Sequence, residues 1–182
     1  MKSSNTRKLV MAALCVALGL VLPITFHAIP NAGSIFLPMH IPVLLCGFIA
    51  GWPFGLLCGI VTPLLSSVFT GMPPMSLLPG MLCELAVYGV VSGLLYARLN
   101  AGNRVANLYL SLIPAMLAGR VVSGILNATL FSVGRYSMHI WLTASFVTAL
   151  PGIVIQLVVI PVLVAVLQKA KLVETPHLQH AQ

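Results

Sequence analysis

Charge is almost absent from this sequence: nine Lys and Arg side chains and two acidic ones serve 182 residues, of which 59% are hydrophobic. Soluble domains carry about a quarter charged residues. A fold covering its surface in water cannot do so with this set, so the solvent is lipid. In a bilayer every backbone polar group must be satisfied within the chain, which leaves helices and closed barrels. A crossing helix needs roughly 20 apolar residues. The sequence has six such runs, at about 8–26, 36–51, 53–71, 76–97, 106–132 and 139–168. The expected fold is an all-α integral membrane protein: one six-transmembrane-helix bundle over 1–172, with a polar tail at 173–182. Pro30, Pro38 and Pro42 predict irregular backbone before the second span settles, and Pro151 and Pro161 predict a kink or tilt in the sixth.

The cations set a side. Lys2, Arg7 and Lys8 precede span one, Arg98 and Arg104 join spans four and five, and Lys169 and Lys171 follow span six. Six spans bring all three segments to one face, leaving Arg135 on the other and Arg120 within a span. Positive residues stay inside, so both termini are expected in the cytoplasm. The net charge of +7 is thus a topology signal; the cations neither gather on one module nor interleave with aromatics, which argues against nucleic acid. The N-terminal stretch resembles a signal peptide but shows no clear small-residue cleavage site, and a retained first span is expected.

One acid, Glu84, stands inside the apolar run "MLCELAVYG", and the other, Glu174, in the tail. Charges at membrane depth cost roughly 2.5–3.5 kcal/mol on insertion scales and usually face a cavity or each other. Glu84 lies about eight residues below the outer end of span four, and Arg120 about twelve below that of span five. At 1.5 Å per residue they sit within about 6 Å in depth, which predicts that Arg120 neutralises Glu84. Tyr88 shares a face with Glu84; Arg120, Ser123 and Asn127 share one; Trp141, Ser145, Thr148, Gly152 and Gln156 form a third stripe. Polar glue between helices explains such residues singly. Together the three stripes can converge on a cavity opening outward, with Glu84, Tyr88, Arg120, Asn127 and Trp141 as candidate ligand contacts.

His27, His40 and His139 fall near the outer ends, with Met39, Met72, Met75 and Met138 beside them and Met81 just below. Methionine adapts to irregular ligands, so His40 and Met72 join the candidate site; gap-filling methionine and interfacial histidine explain the same residues. No spacing makes the histidines a metal site. Cys15, Cys46, Cys58 and Cys83 are scattered without a C-x-x-C pair and read as small core residues. No cofactor is implied. A Walker A motif is absent, so ATP is not hydrolysed by that route, and no G-x-S-x-G or paired Ser–His supports an intramembrane enzyme. In span one, Ala13 and Ala17 stand four apart on one face, a small-xxx-small pattern that lets another helix approach.

Over nearly its whole length the chain resembles the substrate-binding S components of energy-coupling-factor (ECF) vitamin transporters. Ala13-Leu14-Cys15-Val16-Ala17 is similar to the Ala-x-x-x-Ala motif of span one in that family. Residues 36–74, "FLPMHIPVLLCGFIAGWPFGLLCGIVTPLLSSVFTGMPP", resemble the span two–three region of its cobalamin, pantothenate and pyrimidine-precursor branch, and "ELAVYGVVSGLLY" (84–96) its span four. The resemblance implies a non-catalytic subunit that binds a vitamin-like micronutrient from outside under a cap formed by the loop between spans one and two. It implies docking through Ala13 and Ala17 on a transmembrane T component with two cytoplasmic ATPases, and toppling to release the cargo inward. "MKSSNTRK" does not match the metal-binding N-terminus of nickel and cobalt carriers. The alternative is a self-sufficient small-solute transporter or channel; inverted repeats would favour it, and none is found. The ligand among these branches stays open.

Overall fold

A computed structural model describes residues 5–25, 31–99, 102–131, 136–170 and 173. His27, Pro30, Arg135, Lys2, Lys171, Glu174 and the tail beyond Val173 lie outside the described residues, as does the first part (27–30) of the expected cap between the first two spans. The described residues are helical throughout their ordered elements and contain no strand. Six helical stretches are long and apolar enough to cross a membrane.

Helix α1 (Asn5–Thr25) leads to a short α2 (Ala32–Phe36), α3 (His40–Ala50) and α4 (Trp52–Thr70). Leu37, in the left-handed region at φ 52°, bends the chain between α2 and α3. Gly51 separates α3 from α4 at φ 92°, a backbone state that side-chain-bearing residues rarely adopt. Trp52 and Pro53 then open the next helix, where proline's missing N–H costs nothing. Thus "GWP" suffices to turn one span into the next.

Helix α5 (Leu78–Arg98) and α6 (Arg104–Leu126) follow, the latter capped by Asn103 Oδ1, which accepts from the Val105 N–H at 3.0 Å. α6 runs on into a π-helical turn, Asn127–Phe131. A short α7 (Met138–Leu142) passes into a second π-helical turn, Thr143–Thr148, before α8 (Leu150–Lys169). The run expected as one kinked span over 139–168 is therefore divided at Ala149, and Pro151 sits in the first turn of α8, where it is tolerated.

Close packing concentrates on α3, α4 and α5. A Cβ on Gly55 or Gly59 of α4 would run into the α5 backbone at Gly89 and Leu85, and one on Gly47 of α3 would meet Ser92 and Gly89. In lipid no hydrophobic force drives helices together, so such backbone approach supplies the association through dispersion. α3 is buried on nearly every side. α1 rests on α3 and α4 chiefly through Ala12, Cys15 and Gly19, with half-buried Val16 packed beside them. Its Leu9, Leu14, Leu18 and Val21 are exposed, as lipid-facing residues are. Cys15, Cys46 and Cys58 are buried free thiols in this layer, and Cys83 is half-buried.

Candidate functional site

The polar groups meet near one end of α5. Two glycines of α6 make the room. A Cβ on Gly119 would strike the Tyr88 ring and crowd the Glu84 carbonyl, and a Cβ on Gly124 would strike the Trp141 indole. Their absence brings α6 against α5 on one side and seats Trp141 on the other.

Glu84 faces inward from α5. Tyr88, one turn on, donates its hydroxyl to Glu84 Oε1 at 3.0 Å. His40, the first residue of α3, places Nε2 3.7 Å from the same oxygen and meets the Tyr88 ring edge-on with centroids 5.5 Å apart. The expectation that Arg120 pairs directly with Glu84 is corrected here: among the described residues the basic group within 4.0 Å of that carboxylate is His40. Arg120 is close enough for its charge to act on Glu84, but its guanidinium is turned along α6 toward the second π-helical turn. There Nη1 donates to the Ser145 carbonyl, and Cζ lies 5.8 Å from the Phe146 ring centroid. Trp141 Nε1 returns a hydrogen bond of 3.0 Å to the Arg120 carbonyl and packs edge-on against Phe146. Arg120 thus ties residues 138–148 to α6 through both its side chain and its backbone.

The other sequence candidates divide. Asn127 opens the first π-helical turn, beside Gly80 of α5, but its Nδ2 is engaged by the Ser123 carbonyl at 2.8 Å and hydroxyl at 3.3 Å, and Ser123 Oγ donates to the Gly80 carbonyl at 3.1 Å. That trio ties α6 to the start of α5. Met72 stands apart from the cluster, half-exposed in the α4–α5 loop, where its carbonyl accepts the Ser66 hydroxyl at 2.7 Å. His40 is corrected from the outer edge to the interior at 3% exposure, whereas His139 is exposed. Ala13 and Ala17 are both exposed on the face of α1 opposite Ala12, Cys15 and Gly19.

Sequence reasoning missed Phe146, the Ser145 carbonyl and Tyr136. Tyr136, in the segment joining α6 to α7, is half-buried; burial pushes its phenol above its ordinary pKa, and the nearby Glu84 carboxylate adds to the rise. Nothing in its sequence neighbourhood announces this.

Several buried polar atoms have no hydrogen-bond partner among the described residues: His40 Nδ1, Arg120 Nη2, and both amide atoms of Gln156 on α8. Buried polar groups are nearly always paired, so these atoms are exceptions among the described residues. The described residues contain no cluster of His, Cys, Asp and Glu able to hold a metal ion.

A profile of the family described as "ECF transporter, substrate-specific component" matches residues 7–164. No curated protein and no solved structure matches the chain at a significant level. The matched stretch takes in the six membrane helices almost entirely, together with every residue of the cluster, and the chain is a multi-pass cell-membrane protein belonging to the family of substrate-specific components of ECF transporters.

Proposed function

We propose that this substrate-specific component captures a small vitamin-like solute on the outer side of a prokaryotic plasma membrane, at the cluster of His40, Glu84, Tyr88, Arg120 and Trp141. Both termini lie in the cytoplasm in this reading, and a T component with two ATPases supplies the energy for delivery. The observation that carries it is Arg120 Nη2, a charged donor without a hydrogen-bond partner among the described residues, in a side chain only 4% exposed. Glue between helices requires paired groups; here one nitrogen is used on Ser145, and the other has no hydrogen-bond partner among the described residues although the Tyr88 hydroxyl lies near the guanidinium. His40 Nδ1, equally unpartnered, supplies a second ligand contact. Glu84, held by Tyr88 and His40, accepts a donor from the ligand or orients His40. Asn127 serves the pocket by fixing the α5–α6 junction, and Met72 lines the approach rather than the floor.

Docking on the T component falls to Ala13 and Ala17, because their face of α1 is small and unused within the chain. Mass spectrometry of small molecules co-purifying with the detergent-solubilised protein tests the capture reading. A single bound solute, displaced when Arg120 is replaced by Met, is expected; a protein that purifies folded and empty, and that changes no melting temperature with any vitamin-like solute, overturns it.

A further inference from the structure

α6 leans on α5 through Gly119, and on its other side a cavity of about 110 Å³ remains between α6 and α8. Ile113, Met116 and Leu117 wall it from α6, and Ile153 and Leu157 from α8, with Phe146 across one end and Arg120 beside it. Tyr109 donates its hydroxyl to the Leu157 carbonyl at 3.1 Å and bridges the two helices below. Ile113 and Leu117 are 46% and 47% exposed on the outside of the bundle, so the cavity lies close to the lipid-facing surface.

Two properties of this place point to one ligand chemistry. Its walls are hydrocarbon and one aromatic ring, which favour an apolar body. An enclosed apolar cavity of about 150 Å³ takes up benzene; this one, smaller and open on one side, suits a single small ring or a short branched alkyl group. Arg120, at its edge, carries an N–H without a hydrogen-bond partner among the described residues, and no carboxylate oxygen of those residues lies within 4.0 Å of it. The Phe146 face offsets part of a buried guanidinium's cost, while a hydrogen bond to an anion contributes more.

We propose that the α6–α8 cavity is an apolar subsite and that its ligand is a compact amphipathic anion: a small ring or short branched alkyl group in the cavity, with its acidic group on Arg120. This rests on the reading of this end of the bundle as the ligand pocket and adds the substrate class. Such an anion can arrive as a solute or out of the bilayer, and the two sources separate experimentally.

The test uses the full chain in nanodiscs of neutral lipid. Trp141, packed on Phe146, reports by fluorescence; Trp52 lies beside Gly93, about 13 Å further along α5 from Glu84. Sodium benzoate is titrated against benzyl alcohol, which lacks the charge, and acetate, which lacks the ring. Benzoate is expected to saturate at a concentration about tenfold or more below either. Arg120→Met is expected to remove the preference over benzyl alcohol, and Ile153→Phe, which fills the cavity without touching the hydrogen bonds of Arg120, to weaken benzoate by about tenfold. Competition by dodecanoate below the benzoate concentration assigns the site to a bilayer-borne anion; failure of dodecanoate to compete assigns it to a solute; either keeps the subsite. Equal responses to all three probes, no saturable response, or unchanged benzoate binding in Ile153→Phe overturns the proposal. The readout needs no transport, so a chain that forms no complex with a T component and ATPases defeats the transport reading while leaving this result decisive for the cavity.

Discussion

The two halves of the bundle are built on opposite principles. Around α3, α4 and α5, glycines are set against the neighbouring helix so closely that a Cβ at Gly47, Gly55, Gly59 or Gly89 would collide with it. Around α6, α7 and α8, the chain carries two π-helical turns, a cavity of about 110 Å³ and the unpartnered atoms of Arg120 and Gln156. Close approach of backbones leaves no room for a ligand. A π-helical turn does the reverse: it widens the helix locally, and such turns appear frequently at functional sites. In the proposed reading the dense half is the platform and the open half presents the chemistry, with Glu84 and Tyr88 on α5 at the boundary between them.

Substitutions in the two halves should therefore fail differently, and the sharpest contrast comes first. Gly89→Leu places a side chain where the Gly55 carbonyl already stands. No rotamer resolves a backbone clash, so the cost exceeds the roughly 1–3 kcal/mol of ordinary overpacking; size-exclusion chromatography in detergent should show little or no monodisperse protein. A normal profile would mean that the dense half is not dense.

Next, Ala17→Leu acts on neither half's interior, since Ala17 is exposed on α1. Uptake in cells that supply the partner subunits should be abolished while the isolated protein keeps its ligand. Retained uptake would remove the docking role from this face.

In the open half, Arg120→Met and Glu84→Gln should leave monodisperse protein and weaken ligand binding by about tenfold or more each, in keeping with 1.5–3 kcal/mol for a hydrogen bond to a charged group. Calorimetry on the co-purified ligand checks this. If both variants instead fail to fold, the open half is structural glue and the comparison collapses. The smallest effect belongs to Tyr109→Phe. It removes the hydroxyl bridge to the Leu157 carbonyl, and interhelical hydrogen bonds in membranes average about 0.6 kcal/mol. A slight drop in thermal stability is expected; a large one would make Tyr109 a principal clasp between α6 and α8.

Much of this architecture is legible along the chain because hydropathy is a local property. The run around Glu84 announced a buried carboxylate, and the 1.5 Å rise placed Arg120 at a similar depth. Depth is not direction, however. Whether Arg120 points at Glu84 or away depends on its rotation about α6, and that is set by Gly119 against Tyr88 and by the Ser145 carbonyl it reaches. The sequence places His40 near an outer end because it falls at the start of the second span; the left-handed Leu37 bends the chain into α3, whose first residue is His40, buried beside Glu84. Phe146 and Tyr136 carried no signal, being positioned by a π-helical turn and a connecting segment whose geometry no periodicity encodes.

The sequence by itself determined the solvent and the number of spans. Lipid offers the backbone no hydrogen bonds, so each apolar run must close its own as a helix, whatever its neighbours do. Only the tertiary structure decided which partner Glu84 has, which nitrogen of Arg120 is left without a hydrogen-bond partner among the described residues and where the cavity lies. Those follow from how closely glycines let helices approach and how far the π-helical turns rotate what comes after them. Both are relations between segments distant in the chain, and neither is a property of any one of them.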